Sequence, residues 1–415
     1  MLRLYNTLTR EVEAFKPRKE EKVEMFTCGP SIYNPPHIGN YRTFLYEDVL
    51  QRYLEYLGYQ VDRLMVITDI EDKAIAEAEE EDISVKELTE RNMQAFLEDV
   101  DLLRIKKPAY LPRSSTSVHQ AVKLIKKLVQ EGYAYWYEHE GRHNVYFDPL
   151  KFEDFGKVSH LDMSDWPEEK RRFHQDTYPG TPWNKGDFIL WHGYKEGDKV
   201  YWDTEIGKGR PSWNIQDAAM ITKHLGFNVD LACGGVDNLV RHHDYTVAII
   251  ESLSGTEFSH YWLHGEHLLI DGEKMSKSKG NVYYPDDLVK RGYKGEHIRF
   301  YLIYGHYRKK LDLNLSEKPG KNSQKLDKLR DMIENLQKTK ATTSQSSHQK
   351  VSEEILTVFE EGMNEDLDVK SAFDGVMDTV SKLNAKRKEG TLSAEEAKAA
   401  ITSLQKIDEV LQVIF

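Results

Sequence analysis

The sequence predicts an α/β fold in which a parallel sheet is split by an insertion and followed by a helical C-terminal region. Residues 23–28 and 61–67 are apolar runs of strand length on either side of a helical pattern over residues 39–58. Two strands joined through a helix in this way pair in parallel. A strand-like apolar run returns at residues 229–232, after a long segment of mixed strand and turn character. From about residue 285 onward, the apolar residues follow the helical period.

The remaining elements follow from the same patterns. The segment from residue 133 to about residue 203 is rich in aromatic residues and carries Gly and Pro turn signals, so we expect it to be an insertion between two halves of the sheet. The other predicted elements are helices over 85–100 and 117–131 and, in the second half of the sheet, a helix over 244–253 and a short strand over 267–270.

A chain of 415 residues is too long for one ordinary domain. We expect a first domain over residues 1–315, with the insertion at about 105–205, and a helical region over residues 316–415. Residues 339–349, with the sequence TKATTSQSSHQ, are polar and almost free of apolar side chains. This composition is typical of a flexible linker.

Composition excludes several classes of protein. Hydrophobic residues make up 39% of the chain, and no run approaches the roughly 18 apolar residues that a membrane helix needs. The N-terminus has no apolar segment of the secretory type. Because Cys28 and Cys233 are the only cysteines, we expect no disulfide framework and a cytoplasmic location. The net charge of −12 gives no support for nucleic-acid binding by the chain as a whole.

The first motif with chemical content is PPHIGN, at residues 35–40, between the first predicted strand and the first predicted helix. A helix N-terminus offers free N–H groups and a positive dipole end to phosphate oxygens. Gly39 lets a nucleotide approach the backbone, and His37 and Asn40 can donate hydrogen bonds to phosphate. The alternative for this motif alone is a histidine that caps the helix.

The second motif is KMSKSKGN, at residues 274–281, directly after the short predicted strand. Lys274 and Lys277 lie on a loop that is rich in Ser and Gly, which suits a mobile clamp on a triphosphate. Their ammonium groups can neutralise the charge that builds on a leaving pyrophosphate. A solvated basic loop is the alternative, but this particular string argues against it.

In this order, the two motifs resemble the HIGH and KMSKS motifs of class I aminoacyl-tRNA synthetases, and the chain is identified as a member of that family. Within the family it is most similar to the cysteinyl-tRNA synthetases. The segments that carry this similarity are FTCGPSIY at 26–33, TDIEDK at 68–73, GKGRPSWNIQ at 207–216, GGVD at 234–237 and HH at 242–243. The resemblance is strong over about residues 20–315 and looser beyond them.

The resemblance implies a Rossmann-type catalytic domain and a ligase that uses ATP and Mg²⁺. The first product would be an aminoacyl-adenylate, formed with release of pyrophosphate, and the amino acid would then pass to tRNA. The implied catalytic residues are His37, Asn40, Lys274 and Lys277. The implied ATP-binding residues are His37, Gly39, Asn40, Asp237, Lys274, Ser276, Lys277 and Ser278, with Asp237 either contacting the ribose or capping a turn. The implied amino-acid pocket consists of Cys28, Asp69, Trp213, Asp217, His242 and Thr246.

Members of the cysteinyl family hold a zinc ion with two cysteines, one histidine and one glutamate. The metal separates cysteine from serine, because a thiolate is a far better zinc ligand than a hydroxyl. Carried over residue by residue, Cys28 and His242 match the family, whereas Asp217 stands at the second cysteine and Thr246 at the glutamate. This chain therefore keeps two of the four ligands.

Two interpretations of this altered set stay open. In the first, a metal remains on Cys28, Asp217 and His242, with His243 or Asp244 as a further ligand. In the second, the metal is lost and the pocket recognises another amino acid. The substitutions at positions 217 and 246 favour the second interpretation.

The acceptor of the activated amino acid is also open. Family members carry a small anticodon-reading domain after the helices, and we expect no separate anticodon-binding domain here. Transfer to tRNA is the first hypothesis. The alternative is an amino-acid ligase that passes its adenylate to a small-molecule amine or a carrier, as mycothiol-type cysteine ligases do, with an amino acid other than cysteine possible. A third hypothesis, a non-catalytic regulator, is disfavoured by the intact KMSKS string.

Overall fold

The computed structural model describes residues 1–161, 187–276, 279–314, 321–339 and 348–415. The strands of this part are β1 (Arg3–Asn6), β2 (Glu11–Ala14), β3 (Lys22–Thr27), β4 (Gln60–Met65), β5 (Ala134–His139), β6 (Arg142–Phe147), β7 (Phe188–Gly193), β8 (Trp202–Thr204), β9 (Gly207–Pro211), β10 (Val229–Gly235), β11 (Ser259–Gly265), β12 (Leu268–Ile270), β13 (Glu273–Lys274) and β14 (Leu311–Leu313).

The helices of the same part are α1 (Ile38–Tyr56), α2 (Asp72–Glu80), α3 (Val85–Leu102), α4 (Val118–Gln130), α5 (Trp213–His224), α6 (Val236–Asn238), α7 (Asp244–Ser254), α8 (Pro285–Lys290), α9 (Gly295–Ile303), α10 (Lys321–Gln337), α11 (His348–Asn364), α12 (Val369–Lys388) and α13 (Ala394–Leu411). The predicted α/β class with a helical C-terminal region is confirmed.

The central sheet has the strand order β11-β10-β3-β4, and its strands run in parallel. The unit β3–α1–β4 is the βαβ unit that the sequence predicts, and β10 adds the second half of the sheet beside β3. The carboxyl ends of β3, β10 and β11 therefore meet at one edge, at Thr27, Gly235 and Gly265. In open parallel sheets, ligands bind at this edge.

One strand prediction needs correction. The predicted strand over 267–270 corresponds to β12, but β12 does not belong to the central sheet. It pairs with β13 and β14 in a separate three-stranded sheet. The outer strand of the central sheet is instead β11, which the sequence analysis missed because its sequence SHYWLHG includes polar residues. The KMSKS segment therefore begins on the β12–β13 hairpin, beside the central sheet.

The predicted insertion contains a five-stranded antiparallel sheet with the order β5-β6-β7-β9-β8. Its strands extend from Ala134 to Pro211, and residues 162–186 lie outside the described part. The sheet connects α4 with α5, which leads into β10. The boundaries that the sequence assigns to this insertion and to the two larger parts of the chain stay predictions.

In the helical region, α11 packs against α12 and α13. The predicted linker at 339–349 is only partly described, since residues 340–347 lie outside the described part. Its last two residues belong to α11, which begins at His348. Polar side chains are compatible with an exposed first helical turn, which explains why composition alone placed the linker boundary too late.

The helical region and the central sheet share one hydrophobic core. The same cluster of buried side chains includes Leu50 of α1, Phe300 of α9, Phe373 of α12 and Ile414 after α13. An ion pair made by Arg299 of α9 also connects these parts of the molecule. Its guanidinium is fully buried and lies 2.5 Å from the carboxylate of Asp48 in α1.

No helix in the described ranges is long and apolar enough to cross a bilayer. The cytoplasmic location stays a prediction.

Candidate active site

His37 occupies the N-cap position of α1, at the carboxyl end of the central sheet. Its side-chain Nδ1 accepts a hydrogen bond from the Asn40 backbone N–H at 3.3 Å. In return, the backbone N–H of His37 donates to Asn40 Oδ1 at 3.0 Å. This is a reciprocal capping box. Since Nδ1 accepts, a neutral His37 carries its proton on Nε2. His37 therefore does cap the helix, as the alternative interpretation of the motif predicts. Its Nε2–H lies on the side of the imidazole away from the cap.

The KMSKS segment faces this helix start across a cavity of about 250 Å³. His37 and Asn40 line one side of the cavity, and Met275 and Ser276 line the other. A Cβ atom at Gly39 would lie 2.4 Å from Met275 Cε, so in this structure the absence of a side chain at Gly39 makes room for the KMSKS methionine. The two predicted ATP motifs are thus brought together.

The described end of the KMSKS turn is held by Asn281. Its Oδ1 accepts a hydrogen bond from the Ser276 N–H at 2.8 Å, and its Nδ2 donates to the Lys274 carbonyl at 3.2 Å. Lys274 is exposed, with Nζ 3.4 Å from His267 Nε2. The predicted residues Lys277 and Ser278 lie outside the described part of the chain, so their roles stay predictions.

At the end of β10, Asn238 and Asp237 have different roles. Asn238 Oδ1 accepts a hydrogen bond from the Gly235 N–H at 3.1 Å and so caps the turn. Asp237 is exposed at the same carboxyl edge of the sheet. The capping role that the sequence left open for Asp237 therefore belongs to Asn238, and contact with the ribose stays a prediction.

Cys28, Asp217 and His242 come together in the interior, although they are far apart in sequence. Each offers one ligand atom, and these atoms all lie within 4.8 Å of one another. Cys28 follows β3, Asp217 lies in the second turn of α5, and His242 lies in the turn before α7. All three side chains are buried. They are the three metal-ligand candidates that the sequence analysis named.

The contacts of Asp217 resemble those of a metal ligand. Its Oδ2 lies 2.7 Å from His242 Nε2, yet neither carboxylate oxygen accepts a hydrogen bond from the residues that the structure describes. The two atoms are close without the alignment of an N–H···O bond. Buried carboxylates normally have donors, and a cation between these groups would satisfy this one. Sulfur, nitrogen and oxygen donors in one site suit zinc.

Burial, followed by the negative charge of Asp217, raises the pKa of the Cys28 thiol well above its ordinary value. His243 lies beside it, with Nε2 3.0 Å from Cys28 Sγ. Burial, followed by the neighbouring His264 and His242, lowers the pKa of His243 well below its ordinary value. A neutral His243 adds no positive charge beside Cys28 and Asp217, so a cation bound here would meet an electronegative, poorly hydrated site.

Two further pocket residues have clear structural roles. Trp213 stacks on His242, with ring centroids 4.0 Å apart and planes 15° apart, and this contact fixes the imidazole plane. Thr246 donates from Oγ1 to the His242 carbonyl at 3.0 Å. Its hydroxyl is therefore directed at the backbone of the turn before α7, so Thr246 does not replace the glutamate of the family.

Asp69 has a different position from the one expected of an amino-acid ligand. Its carboxylate accepts hydrogen bonds from the Ser114 hydroxyl at 2.8 Å and from the Ser115 N–H at 2.8 Å and hydroxyl at 2.5 Å. Asp69 thus organises the turn before α4, at the wall of a separate cleft of about 630 Å³.

His243 and Asp244, the two further metal ligands considered from the sequence, do not join the cluster of Cys28, Asp217 and His242. Both ring nitrogens of His243 are hydrogen-bonded. Asp244, whose Oδ1 accepts from the Ser159 N–H at 3.3 Å, is not part of the group whose ligand atoms lie within 4.8 Å of one another.

Comparisons with known proteins agree with this geometry. The family described as tRNA synthetases class I (C), catalytic domain, matches residues 14–325. The chain belongs to the class I aminoacyl-tRNA synthetase family. The Cysteine--tRNA ligase of Chlamydia caviae is 38% identical over 418 residues, which cover all of this chain and 86% of that protein. The Cysteine--tRNA ligase of Brachyspira hyodysenteriae is 38% identical over 91% of this chain and 79% of its own length.

Solved structures give the same fold at lower sequence identity. A Mycobacterium tuberculosis methionyl-tRNA synthetase bound by methionyl-adenylate aligns with a TM-score of 0.67 and 12% identity, over 94% of this chain and 92% of its own. An Agrobacterium radiobacter LeuRS, in a ternary complex with tRNA, aligns with a TM-score of 0.68 and 11% identity, over 96% and 84% of the two chains. This chain is accordingly a synthetase-type ligase, and class I synthetases use ATP and Mg²⁺.

Several residues of this synthetase site were missed at the sequence level. Asn238 and Asn281 hold the two turns just described, His264 contacts His243 Nδ1, and Arg42 links α1 to the segments that precede β12 and β14. Arg42 follows the HIGN motif directly, so its position in the sequence was a usable signal. His264 lies at the end of an unpredicted strand, and no pattern in the sequence pointed to it.

Proposed function

We propose that this chain activates cysteine with ATP and transfers it to tRNA, and that Cys28, Asp217 and His242 hold a divalent metal that recognises the substrate. The single observation that carries the proposal is the buried Asp217 carboxylate, which makes no aligned hydrogen bond with the described residues and lies within ligand distance of Cys28 and His242. The relatives named Cysteine--tRNA ligase support the choice of amino acid and acceptor.

In the first step, an amino-acid carboxylate attacks the α-phosphorus of ATP in line with the leaving pyrophosphate. His37 presents its Nε2–H, and Asn40 its amide, at the N-terminus of α1, where the helix dipole also favours phosphate. Lys274 directly precedes Met275, which lines the cavity, and it would stabilise charge on the leaving group. No covalent enzyme intermediate is needed, because positioning and electrostatic stabilisation supply the rate enhancement.

The metal would be held by one sulfur, one nitrogen and one carboxylate oxygen. Three protein ligands leave a position open for the substrate, as in other sites that bind substrate through a metal. When bound there, zinc would supply a soft acceptor for a thiolate. Trp213 and the backbone contact of Thr246 keep His242 oriented toward that position. The loss of metal favoured by the sequence is therefore not the interpretation we adopt.

The test is amino-acid-dependent pyrophosphate exchange with each of the twenty amino acids, followed by aminoacylation of total tRNA with the best substrate. We expect cysteine to give the highest exchange rate in zinc-supplemented protein, and cysteine to become bound to tRNA. Protein that binds ATP but supports no exchange would contradict the activation step. Exchange without transfer to tRNA would contradict the acceptor.

A second candidate is favoured by the same orphaned carboxylate. Without a metal, ionised Asp217 is a pure acceptor and pairs best with a substrate that carries a donor or a positive charge. The exchange assay separates the two candidates, since this one predicts a preference for a basic or amide side chain and no effect of zinc. For a small-molecule amine as the acceptor, neither the site nor the relatives offer support.

A further inference from the structure

A continuous chain of hydrogen bonds leads from the candidate metal ligand Cys28 to the N-terminal hairpin. Cys28 Sγ lies 3.0 Å from His243 Nε2, His243 Nδ1 lies 2.8 Å from His264 Nε2, and His264 Nδ1 lies 2.8 Å from Thr7 Oγ1. Cys28 and both histidines are buried, with exposed fractions of 6% or less. Burying one cysteine and two histidines costs free energy unless their polar atoms are paired. The pairing along this chain therefore needs an explanation.

The far end of this chain is firmly placed. Thr7 lies in the turn between β1 and β2, and its N–H donates to the Trp262 carbonyl of β11 at 2.8 Å. The neighbouring Asn6 accepts the Trp262 N–H at 3.0 Å through its Oδ1. The hairpin is thus bound to the edge strand that carries His264, so the Thr7 hydroxyl has little freedom to leave the imidazole.

The direction of these hydrogen bonds depends on the state of Cys28. A cysteine bound to a metal is a thiolate, which only accepts hydrogen bonds. His243 must then donate from Nε2 and accept at Nδ1, which requires His264 to donate from Nε2 and accept at Nδ1. The Thr7 hydroxyl can supply that last proton. One arrangement of two neutral imidazoles therefore satisfies every contact in the chain, and it ends in an N–H directed at the sulfur.

We propose that His243, held in one tautomer by His264 and Thr7, is a positioning residue that donates a hydrogen bond to the Cys28 thiolate and fixes it as a metal ligand. The inference rests on the metal binding proposed above. An N–H donor to a coordinating thiolate orients the sulfur and moderates its donation to the metal, and partners of this kind typically contribute 10- to 100-fold in metal affinity. His243 is therefore assigned to support of the site and not to coordination.

The test compares His243→Phe with His243→Gln in the full chain. Phenylalanine fits the aromatic surroundings of Phe26 and Trp262 but has no donor, whereas glutamine keeps an N–H. His264→Phe removes the partner of His243 and leaves His243 in place. His260→Phe is the matched control, because His260 lies on the same strand β11 with an exposed side chain. The probes are Zn²⁺, by competition with a chromophoric chelator, and Co²⁺, by its sulfur-to-metal charge-transfer band.

We expect His243→Phe to weaken Zn²⁺ binding on the order of 10- to 100-fold and to move the Co²⁺ charge-transfer band to lower energy. His264→Phe should shift both readouts in the same direction by less, and His243→Gln and His260→Phe should behave like the unchanged protein. The band position does not depend on global stability, so it separates a positioning role from a structural one. If His243→Phe fails to fold, His264→Phe and His243→Gln carry the test.

Failure of the metal site and failure of this inference alone would give different results. Wild-type protein that binds neither Zn²⁺ nor Co²⁺ would overturn the metal site and this inference with it. Wild-type protein that binds both ions, while His243→Phe and His264→Phe keep the wild-type affinity and band position, would overturn this inference alone.

Discussion

Asp217 is buried, and neither of its carboxylate oxygens makes an aligned hydrogen bond within the described part of the chain, although Oδ2 lies 2.7 Å from His242 Nε2. By contrast, Asp69 is equally buried but accepts three hydrogen bonds from Ser114 and Ser115. The Asp69 carboxylate is thus satisfied by its neighbours in the fold, whereas the Asp217 carboxylate lies among the candidate metal ligands. This pair provides a controlled comparison at the residue scale.

Asp217→Asn keeps the shape of the side chain and removes its charge, and a neutral amide oxygen is a poor ligand for zinc. We expect zinc to fall from about one ion per chain to well below one after dialysis, as measured by elemental analysis. Asp69→Asn should lower thermal stability and leave the zinc content unchanged. Stoichiometric zinc in Asp217→Asn would contradict the assignment of this carboxylate as a ligand.

A different carboxylate makes stability depend on pH. Burial raises the pKa of Asp99 to about 6, although the Tyr41 hydroxyl, which donates at 2.7 Å, acts in the opposite direction. Because the folded value lies above the value of about 3.9 in an unfolded chain, the side chain favours folding most when it is protonated. That contribution is complete below about pH 4 and is lost as the pH rises through about 6.

Asp99→Asn keeps the acceptor for Tyr41 and cannot ionise. Since Asp99 is only partly buried, we expect the variant to gain at most about 1 kcal/mol of unfolding free energy at pH 7.5. The gain should disappear at pH 4, as measured by urea denaturation at both values. An advantage of equal size at both pH values would show that ionisation of Asp99 is not its cause.

At the scale of the element, α1 links the predicted HIGN motif at its N-terminus to the part of the molecule that carries the KMSKS segment. Arg42, one turn beyond the cap at His37, is buried and donates to four backbone carbonyls on the KMSKS side of the molecule. The acceptors are Glu266 at 3.2 Å, Leu302 at 3.0 Å, His306 at 3.2 Å and Lys309 at 2.6 Å. One guanidinium therefore ties the helix that begins after His37 to the segments that precede β12 and β14, in the sheet that carries Lys274.

Arg42→Lys keeps the charge but cannot reach four carbonyls, because an ammonium group lacks the planar fork of donors. We expect the exchange rate constant kcat to fall on the order of 10-fold or more, because misplacement of the reacting groups by even a fraction of an ångström is costly. The KM for ATP should change less. Arg52→Lys is the control, since Arg52 is on the same helix and pairs with Asp48 at 3.0 Å. A rise in KM at constant kcat would contradict a positioning role.

The success of sequence-based prediction also differs among elements. β3, α1 and β4 were predicted because buried parallel strands are continuous apolar runs and α1 keeps a helical period. β11 was missed because polar residues such as His260 and His264 interrupt its apolar run, and β12 was assigned to the wrong sheet because pattern alone does not specify strand partners. The neighbours Cys28, Asp217 and His242 were predicted only through the resemblance to the family, since nothing local brings them together.

At the scale of the whole molecule, the catalytic sheet and the helical region form one energetic unit. The fully buried Arg299 donates to the Leu103 carbonyl at 3.0 Å and the Leu411 carbonyl at 2.7 Å, in addition to its contact with Asp48. Burial alone would raise the pKa of Asp48, but the charges of Arg299 and its neighbours outweigh burial and lower it. The buried guanidinium of Arg299 thus links the region around α13 to α1 and to the end of α3.

Arg299→Met fills a similar volume and leaves Asp48 as a buried charge with fewer partners. We expect a loss of about 3–5 kcal/mol in unfolding free energy, measured by chemical denaturation. The double variant with Asp48→Leu should recover part of that loss, because it removes the uncompensated charge. A change below about 1 kcal/mol for Arg299→Met would show that the pair does not hold the two parts together.

The central claim is that this synthetase reads its amino acid through a metal on Cys28, Asp217 and His242, and the selectivity for cysteine over serine tests it most directly. A pocket that uses size alone separates such similar substrates by roughly 10- to 200-fold. The measurement is the ratio of kcat/KM for cysteine and serine in pyrophosphate exchange, first with zinc-saturated protein and then after the metal is removed by a chelator. Our account predicts a ratio well above about 200 with zinc, which falls to that range or below without it. A ratio below about 200 in zinc-saturated protein, or a high ratio that survives removal of the metal, would contradict the account.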